Sequence, residues 1–431
     1  MLIAVKLALR NLVRNRWRSA LTLAAVAVAV AMMVWTLSMY EGWMAEMIRG
    51  ATAVETGQVQ LHSAAYVETP RVYESFPADS TLLARVRAVN GVEALTPRVE
   101  AFGLIGNEER SQVTRIIGVD PEAEAAATPI RRAVIEGRWL ATHPAPYPTP
   151  REVVLGQGLA QQLRVSPGAE LVVFLEAADG SLGNELLQVV GIVRTGNTEI
   201  DRLATYLPLA DAQFVTALGD QIHEVMVRTG DLKGARAIAD TVAAAIGARV
   251  GAPPEDQPVE PGTLVVRPWQ EIVPSINQMI VLFRRSYAFM YLLIYLVAAV
   301  GIVNTARMSA LERRREFGVM LAIGMRPLRL FRTIVVETSV LGFAGAIVGA
   351  ALGFALSWYH ATAGLDMSAF TEQAAFSYMG VAFSERIYFV LTPMGVVQPI
   401  LVMLVVAALS GLWPAIRAAR IVPAPTIAGR T

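Results

Sequence analysis

The sequence predicts an α-helical membrane protein with four transmembrane helices and one large extracytoplasmic α+β domain, set between the first and second helix. Three observations predict it. The 431 residues are 54% hydrophobic and only 17% charged, where a soluble chain carries about a quarter charged residues. Four stretches reach the roughly 20 apolar residues that cross a hydrocarbon core of about 30 Å. Between the first two lies a long segment, 41–285, patterned like an ordinary soluble domain.

The first stretch, 19–40, is uncharged and follows a basic leader containing Lys6, Arg10, Arg14, Arg16 and Arg18. A secretory signal has such a leader, but here apolar residues continue through Met32, Met33, Val34 and Trp35. That exceeds a signal h-region of about 7–15 residues, so the stretch reads as an uncleaved anchor. The leader, 1–18, places Val5, Leu9, Leu12, Val13 and Trp17 among its cations. This is the pattern of a helix lying on the inner leaflet, though plain topogenic charge accounts for the same cations. The other stretches are 286–306, 338–365 and 392–416. Arg307, Arg313, Arg314, Arg315, Arg326, Arg329 and Arg332 crowd the segment 307–337, and Arg417, Arg420 and Arg430 the tail 417–431. The loop 366–391 has Asp366, Glu372 and Glu385 against Arg386 alone. By the positive-inside rule both termini are cytoplasmic.

Within 41–285, strand patterns cover 57–62, 92–104, 113–119, 170–175 and 187–193, and helical patterns 81–89, 158–163 and 233–246. Ala178-Asp179-Gly180-Ser181 reads as a hairpin turn. Proline-rich 143–150 and 253–261 read as surface loops. The order of elements suggests two lobes, an outer pair of segments and an insert at about 121–220.

Several chemistries are excluded. The absence of cysteine removes disulfides, thiolate catalysis, cysteine zinc sites and a lipid-modified N-terminal cysteine. Lys6 and Lys233 are the lysines, and neither follows a glycine, so no phosphate-binding loop is present. His62, His143, His223 and His360 form no zinc helix, and no Gly-x-Ser-x-Gly elbow occurs. A net charge of +1 is too small for a nucleic-acid surface. No charged residue sits mid-span, which disfavours an ion-coupled transporter. Glu337, at the inner edge of the third stretch, reads as an interfacial acid or as the partner of a nearby arginine. The preference for arginine and alanine reflects genome composition.

Two segments carry more information. Residues 311–327 join a charged helical part (Glu312, Arg313, Arg314, Arg315, Glu316) to an apolar one (Phe317, Met320, Leu321, Ile323), broken by Gly324 and Pro327. A short helix with both an ionic and an apolar side suits docking on a partner protein; resting on lipid is the alternative. The third stretch carries Gly345, Gly349 and Gly353 at spacing four, with Gly342 a turn earlier. Small residues so spaced allow close helix packing, within the chain or across a dimer.

These residues resemble a family. The leader 8–18, the segment Glu312, Arg315, Glu316, Phe317, Gly318 with Ala322, Ile323, Gly324 and Met325, and Glu337 followed by the four glycines are similar to FtsX-like and MacB-like permeases of ABC systems. Pro414-Ala415, Arg417-Ala418-Ala419 and Pro423, and outside Glu136-Gly137-Arg138-Trp139 and Val153-Val154-Leu155-Gly156, fit the same pattern. Among these permeases the chain most resembles the lipoprotein-releasing type. The resemblance implies a MacB-like periplasmic core domain and a bacterial inner-membrane location. It implies a non-catalytic permease with no cofactor of its own, ATP and Mg being bound by a separate ATPase. It implies a second permease chain, in a homodimer or heterodimer, membrane lipid as a partner, and a periplasmic carrier or adaptor. The ATPase contacts it implies are Glu312, Arg315, Glu316, Phe317, Gly318 and Gly324. The implied work is extraction or expulsion of an amphiphile, lipoprotein or lipid, from the outer leaflet. Mechanotransmission to an extracytoplasmic partner and tripartite efflux are the alternatives. Residues 269–306 read as one helix that could act as a lever. The hairpin near 176–184 is short where carrier-binding members have a long hook, and the aromatic loop 366–391 (Phe370, Phe376, Tyr378, Met379, Phe383, Tyr388, Phe389) is longer than the family pattern.

Overall fold

The computed structural model describes residues 16–77, 79–142, 149–253, 260, 262–366, 377–378, 381–382 and 386–422. Residues 1–15 of the expected leader helix, most of the two Pro-rich loops and most of the loop after the third stretch, including Phe370, Phe376, Met379 and Phe383, lie outside the described residues, as does Pro423. The chain divides into a helical unit, 1–44, 281–369 and 386–431, and an α/β unit, 45–280 with 370–385.

The long helices are α1 (Arg16–Ala51), α2 (Pro274–Glu312), α4 (Pro327–Ala363) and α5 (Pro393–Ala419), with a short α3 (Arg314–Ala322) between α2 and α4. The four long ones are apolar enough to cross a membrane. Each runs past at least one end of its expected stretch, since flanking residues can stay helical without being in lipid, whereas α4 stops at Ala363, two residues short of 365, where Gly364 takes φ +74°. The expected helix 269–306 is interrupted: a short helix, Trp269–Ile272, ends at Val273, and α2 starts at Pro274. Proline has no amide hydrogen to continue the previous ladder and is tolerated at a helix start.

The helical unit packs on small residues. Val26, Val30 and Val34 of α1 meet Ala298 and Ile302 of α2, Ala346 and Ala350 of α4, and Met403 and Ala407 of α5. The α4 glycines make this possible. A methyl group on Gly345 would lie 2.9 Å from Val26 Cβ, and one on Gly353 2.8 Å from the Ala31 carbonyl oxygen. One on Gly349 would overlap the Ala27 carbonyl, and one on Gly342 would overlap Ala407. Three of the four expected packing glycines thus meet α1 and the fourth meets α5, all within the chain.

The α/β unit is built on eleven strands: β1 (Val59–Ser63), β2 (Val92–Gly106), β3 (Ser111–Val119), β4 (Val134–Gly137), β5 (Arg151–Gly156), β6 (Glu170–Glu176), β7 (Leu182–Val193), β8 (Ala204–Pro208), β9 (Glu224–Thr229), β10 (Arg249–Val250) and β11 (Leu264–Pro268). They follow the order β10-β11-β1-β9-β2-β3-β8-β5-β7-β4, with β6 pairing both β2 and β7. Strands of the insert and of the flanking segments join in this one hydrogen-bonded path. The hairpin between β6 and β7 turns at Gly180, φ +80°, with Asp179 Oδ1 accepting from the Ser181 amide at 3.0 Å.

Candidate functional site

Three places in the chain have geometry beyond packing. The first is the segment between α2 and α4. Arg313, the single residue between α2 and α3, folds its guanidinium over the Phe317 ring at 5.1 Å and reaches Glu337 on α4. Gly324, φ +95°, ends α3; a left-handed residue after a helix releases its last carbonyls to following amides, here Leu321 O to Gly324 N at 3.1 Å and Met320 O to Met325 N at 3.0 Å. Of the residues expected to meet a partner, Glu312, Arg315 and Gly324 are exposed and Glu316 is partly so. Phe317 and Gly318 are not. Phe317 is buried with Leu330, Ile334, Ala415 and Ala418, and Gly318 is buried beside it. Both were expected among the ATPase contacts, and both lie on the side of α3 that packs into the chain's own core. Exposed Val319, Ile323 and Leu328 supply the apolar surface that is left, among Arg314, Arg315, Arg326 and Arg329.

The second place is a cavity of about 510 Å³ between α1, α2 and α5. Leu37, Tyr40 and Glu41 line it from α1, Arg284, Tyr287, Ala288, Tyr291 and Tyr295 from α2, and Gln398 and Pro399 from α5. Tyr287, Tyr291 and Tyr295 recur at spacing four, so α2 presents one tyrosine face. The Tyr40 and Tyr287 rings meet at a tilt, centroids 4.5 Å apart. Tyr291 Oη is buried with no hydrogen-bond partner among the described residues. An opening of about 520 Å³ lies between the N-terminal half of α1 and the C-terminal half of α2, where Thr22 and Thr305 bridge the helices with Oγ1 atoms 2.7 Å apart. The tyrosine face was missed in the sequence reading, although its period was there to be read.

The third is in the α/β unit. Leu104 on β2 pairs across the sheet with Val113 on β3 and with Phe174 on β6. Phe102 shares Leu104's face, and Leu186 on β7 extends it. All five are exposed, an apolar face across four strands. On other parts of the same strands, buried charges gather. Arg98 on β2 contacts Glu124 and Glu224, and Arg115 on β3 contacts Glu55 and Glu100. Burial, reinforced by the nearby Glu100 carboxylate, pushes Glu224 up to about 8. Burial takes His62 down to about 4 and lowers His223 in the same sense. No group of three or more metal-ligating side chains is found among the described residues.

Residues 19–245 match the family profile described as MacB-like periplasmic core domain, and residues 288–423 the one described as FtsX-like permease C-terminal. The lipoprotein-releasing system transmembrane protein LolC of Neisseria meningitidis is 23% identical over 358 residues, 81% of this chain and 80% of that protein. The corresponding LolE of Haemophilus influenzae is 23% identical over 414 residues, 93% of this chain and 92% of that protein. The crystal structure of the periplasmic region of MacB from Actinobacillus actinomycetemcomitans covers 55% of this chain and 98% of that one, at 12% identity and a TM-score of 0.35.

Proposed function

This chain belongs to the FtsX-like, MacB-like permeases of ABC transporters, and we propose that it extracts an amphiphile, lipoprotein or lipid, from the outer leaflet of the bacterial inner membrane, driven by a separate ATPase. The cavity between α1 and α2 is the observation that supports this reading best. It is apolar in its body, with Leu37, Leu292 and Pro399, and carries Glu41 and Arg284 among its lining residues. Acyl chains suit the first part and a polar head the second, with Tyr291 Oη as a donor to an ester or amide carbonyl. A pure mechanotransmission protein has no use for open space between these helices and would close it.

On this reading both termini are cytoplasmic, the α/β unit is periplasmic, and the insert 121–220 is a lobe that meets the next protein in the sequence of transfer. The exposed face that Phe174 and Leu186 of the insert share with Phe102, Leu104 and Val113 of the strands before it supports a carrier or adaptor at their junction. Two permease chains form the membrane unit. The ATPase docks on Glu312, Arg315, Glu316 and Gly324, with Val319 and Ile323 as the apolar contacts. ATP and Mg stay with that subunit.

The test is co-purification from mild detergent of the intact chain and of Arg315→Ala/Glu316→Ala. An ATPase retained by the first and lost from the second, with lipid or lipoprotein bound to the first, is the expected result. An intact chain that retains no ATPase under any mild condition overturns the reading.

A further inference from the structure

Helix α1 ends inside the α/β unit in an unusual way. Its last turn widens to a π-helix, Thr52–Thr56, closed by the Gly57 amide on the Thr52 carbonyl at 2.9 Å, and Gly57 then turns the chain with φ +60° into β1. The last carbonyls of a helix have no partner within it. Here two of them are taken by one buried side chain. Arg98 Nη2 donates to the Val54 carbonyl at 2.8 Å and Nη1 to the Glu55 carbonyl at 2.5 Å. The other donors of the same guanidinium go to Glu124 (Nε to Oε2 at 3.1 Å, Nη2 to Oε1 at 2.6 Å) and to Glu224 (Nη1 to Oε1 at 3.2 Å). Every N–H of the guanidinium is therefore used. Beside it, Arg115 holds the Glu55 carboxylate at 2.6 Å and Glu100 at 2.5 Å.

Stability alone does not call for this arrangement. Buried ion pairs are often no better than apolar packing of the same volume, because desolvation of the charges offsets their attraction. What apolar packing lacks is direction: it holds surfaces together but resists sliding and rotation weakly. A planar fork bonded to two main-chain carbonyls of α1 and to carboxylates on β9 and on the helix Pro121–Ala127 fixes both the position and the rotation of that last turn. The start of α2 is rooted alongside. β1 pairs with β11 in antiparallel register, Val59 opposite Pro268, and Trp269 N donates to the Gln58 carbonyl at 2.9 Å just before α2.

We propose that Arg98 is a positioning residue of the transport cycle, a rigid joint that passes displacement of α1 to the central strand β2 instead of letting the last turn absorb it. The proposal rests on the ATP-driven reading above. A lysine at 98 would keep the charge but could not bond both carbonyls and both carboxylates at once.

The experiment uses the full chain, assembled with its ATPase in lipid nanodiscs that contain a triacylated lipopeptide as the amphiphile. It compares wild type, Arg98→Lys, and Val242→Ala, a core change elsewhere in the unit that lowers stability without touching the joint. ATP hydrolysis, amphiphile released per ATP, and amide hydrogen exchange at 52–58 are measured. Arg98→Lys should keep ATP hydrolysis within about twofold, lose about tenfold in release per ATP, and speed exchange at 52–58 by about tenfold or more. Val242→Ala should leave release per ATP and that local exchange unchanged. Unaltered exchange at 52–58 in Arg98→Lys shows that Arg98 does not make the joint and overturns the proposal, whatever the chain transports. Release per ATP that is unchanged in Arg98→Lys, or reduced equally in Val242→Ala, also overturns it. Wild type that hydrolyses ATP and releases nothing defeats instead the extraction reading, and the transmission role with it.

Discussion

Arg313 Nη1 lies 3.2 and 3.0 Å from the two carboxylate oxygens of Glu337, while its Nε donates to Glu316 at 3.2 Å. The pair therefore links the hinge between α2 and α3 to the start of the apolar part of α4. Both side chains are largely shielded, at 15% and 18% exposure. Removing one partner of such a pair should cost more than the at most about 1 kcal/mol of a surface pair and less than the roughly 3–5 kcal/mol of a fully buried one. Glu337→Ala should thus lower stability in detergent by about 1–3 kcal/mol and loosen the ATPase contact, since α3 loses its fixed angle. The charge swap Arg313→Glu/Glu337→Arg should recover part of both. Thermal unfolding and co-purified ATPase are the readouts, and equal loss in the swap would show that the pair itself does not set the angle.

The glycines of α4 are separable by what surrounds them. A methyl group at Gly349 would overlap the carbonyl of Ala27, a main-chain atom that cannot rotate away. A methyl group at Gly301 of α2 meets nothing within 4 Å. Gly349→Ala should therefore push α1 from α4 and destabilise by about 1–3 kcal/mol, the usual range for overpacking. Gly301→Ala should be neutral or better, since alanine is favoured in helices by about 1 kcal/mol over glycine. Thermal unfolding in one detergent compares the two directly.

How far the sequence carried can be read from particular residues. The four glycines and the turn at Asp179-Gly180 were legible because each has a local reason: a period of four, or a backbone conformation that suits glycine. The burial of Phe317 was not legible because an apolar helix face looks the same whether a partner or the chain's own α4 and α5 covers it, and nothing local says which. Arg98 left only a faint sign, a charge with Glu100 inside the apolar run of β2. Its partners Glu55, Glu124 and Glu224 come from three distant segments. Only the tertiary fold brings four carboxylates around two guanidiniums. The break at Pro274 is legible, since proline starts a helix and does not continue one, and it divides the expected lever 269–306.

The cavity offers a test by filling. Ala288 lines it with a small side chain between Tyr287 and Tyr291 on α2. Ala288→Trp adds an indole to a space of about 510 Å³ and should displace part of any ligand without touching residues 311–327. Release should fall by about tenfold or more with ATP hydrolysis retained, since binding of the ligand is lost and not the coupling. Release assays in proteoliposomes, read beside ATP turnover, distinguish this from a folding defect; undiminished release would place the substrate elsewhere.

The charge cluster makes stability depend on pH, and the sign can be worked out. Glu224 has an ordinary value of 4.5 and is held up to about 8 in the fold. Between these values the folded chain keeps a proton that the unfolded chain has lost, so stability falls as pH rises from 4.5 to 8. His62 runs the other way: ordinarily 6.5, it is depressed to about 4. The unfolded chain takes up a proton there that the folded one refuses, so this contribution makes stability rise between pH 4 and 6.5, and His223, also lowered, adds in the same sense. The opposing slopes offset one another below 6.5. Above it Glu224 acts without them, and the α/β unit should lose stability as pH rises towards 8, by on the order of 1 kcal/mol per pH unit. Hydrogen exchange of the β2 and β9 amides in the full chain, corrected for the pH dependence of the chemical exchange step, measures this. Glu224→Gln keeps an oxygen for Arg98 Nη1 but has no proton to lose, so its stability should stay level between pH 6.5 and 8. An unchanged decline in that variant would assign the titration to another group in the cluster.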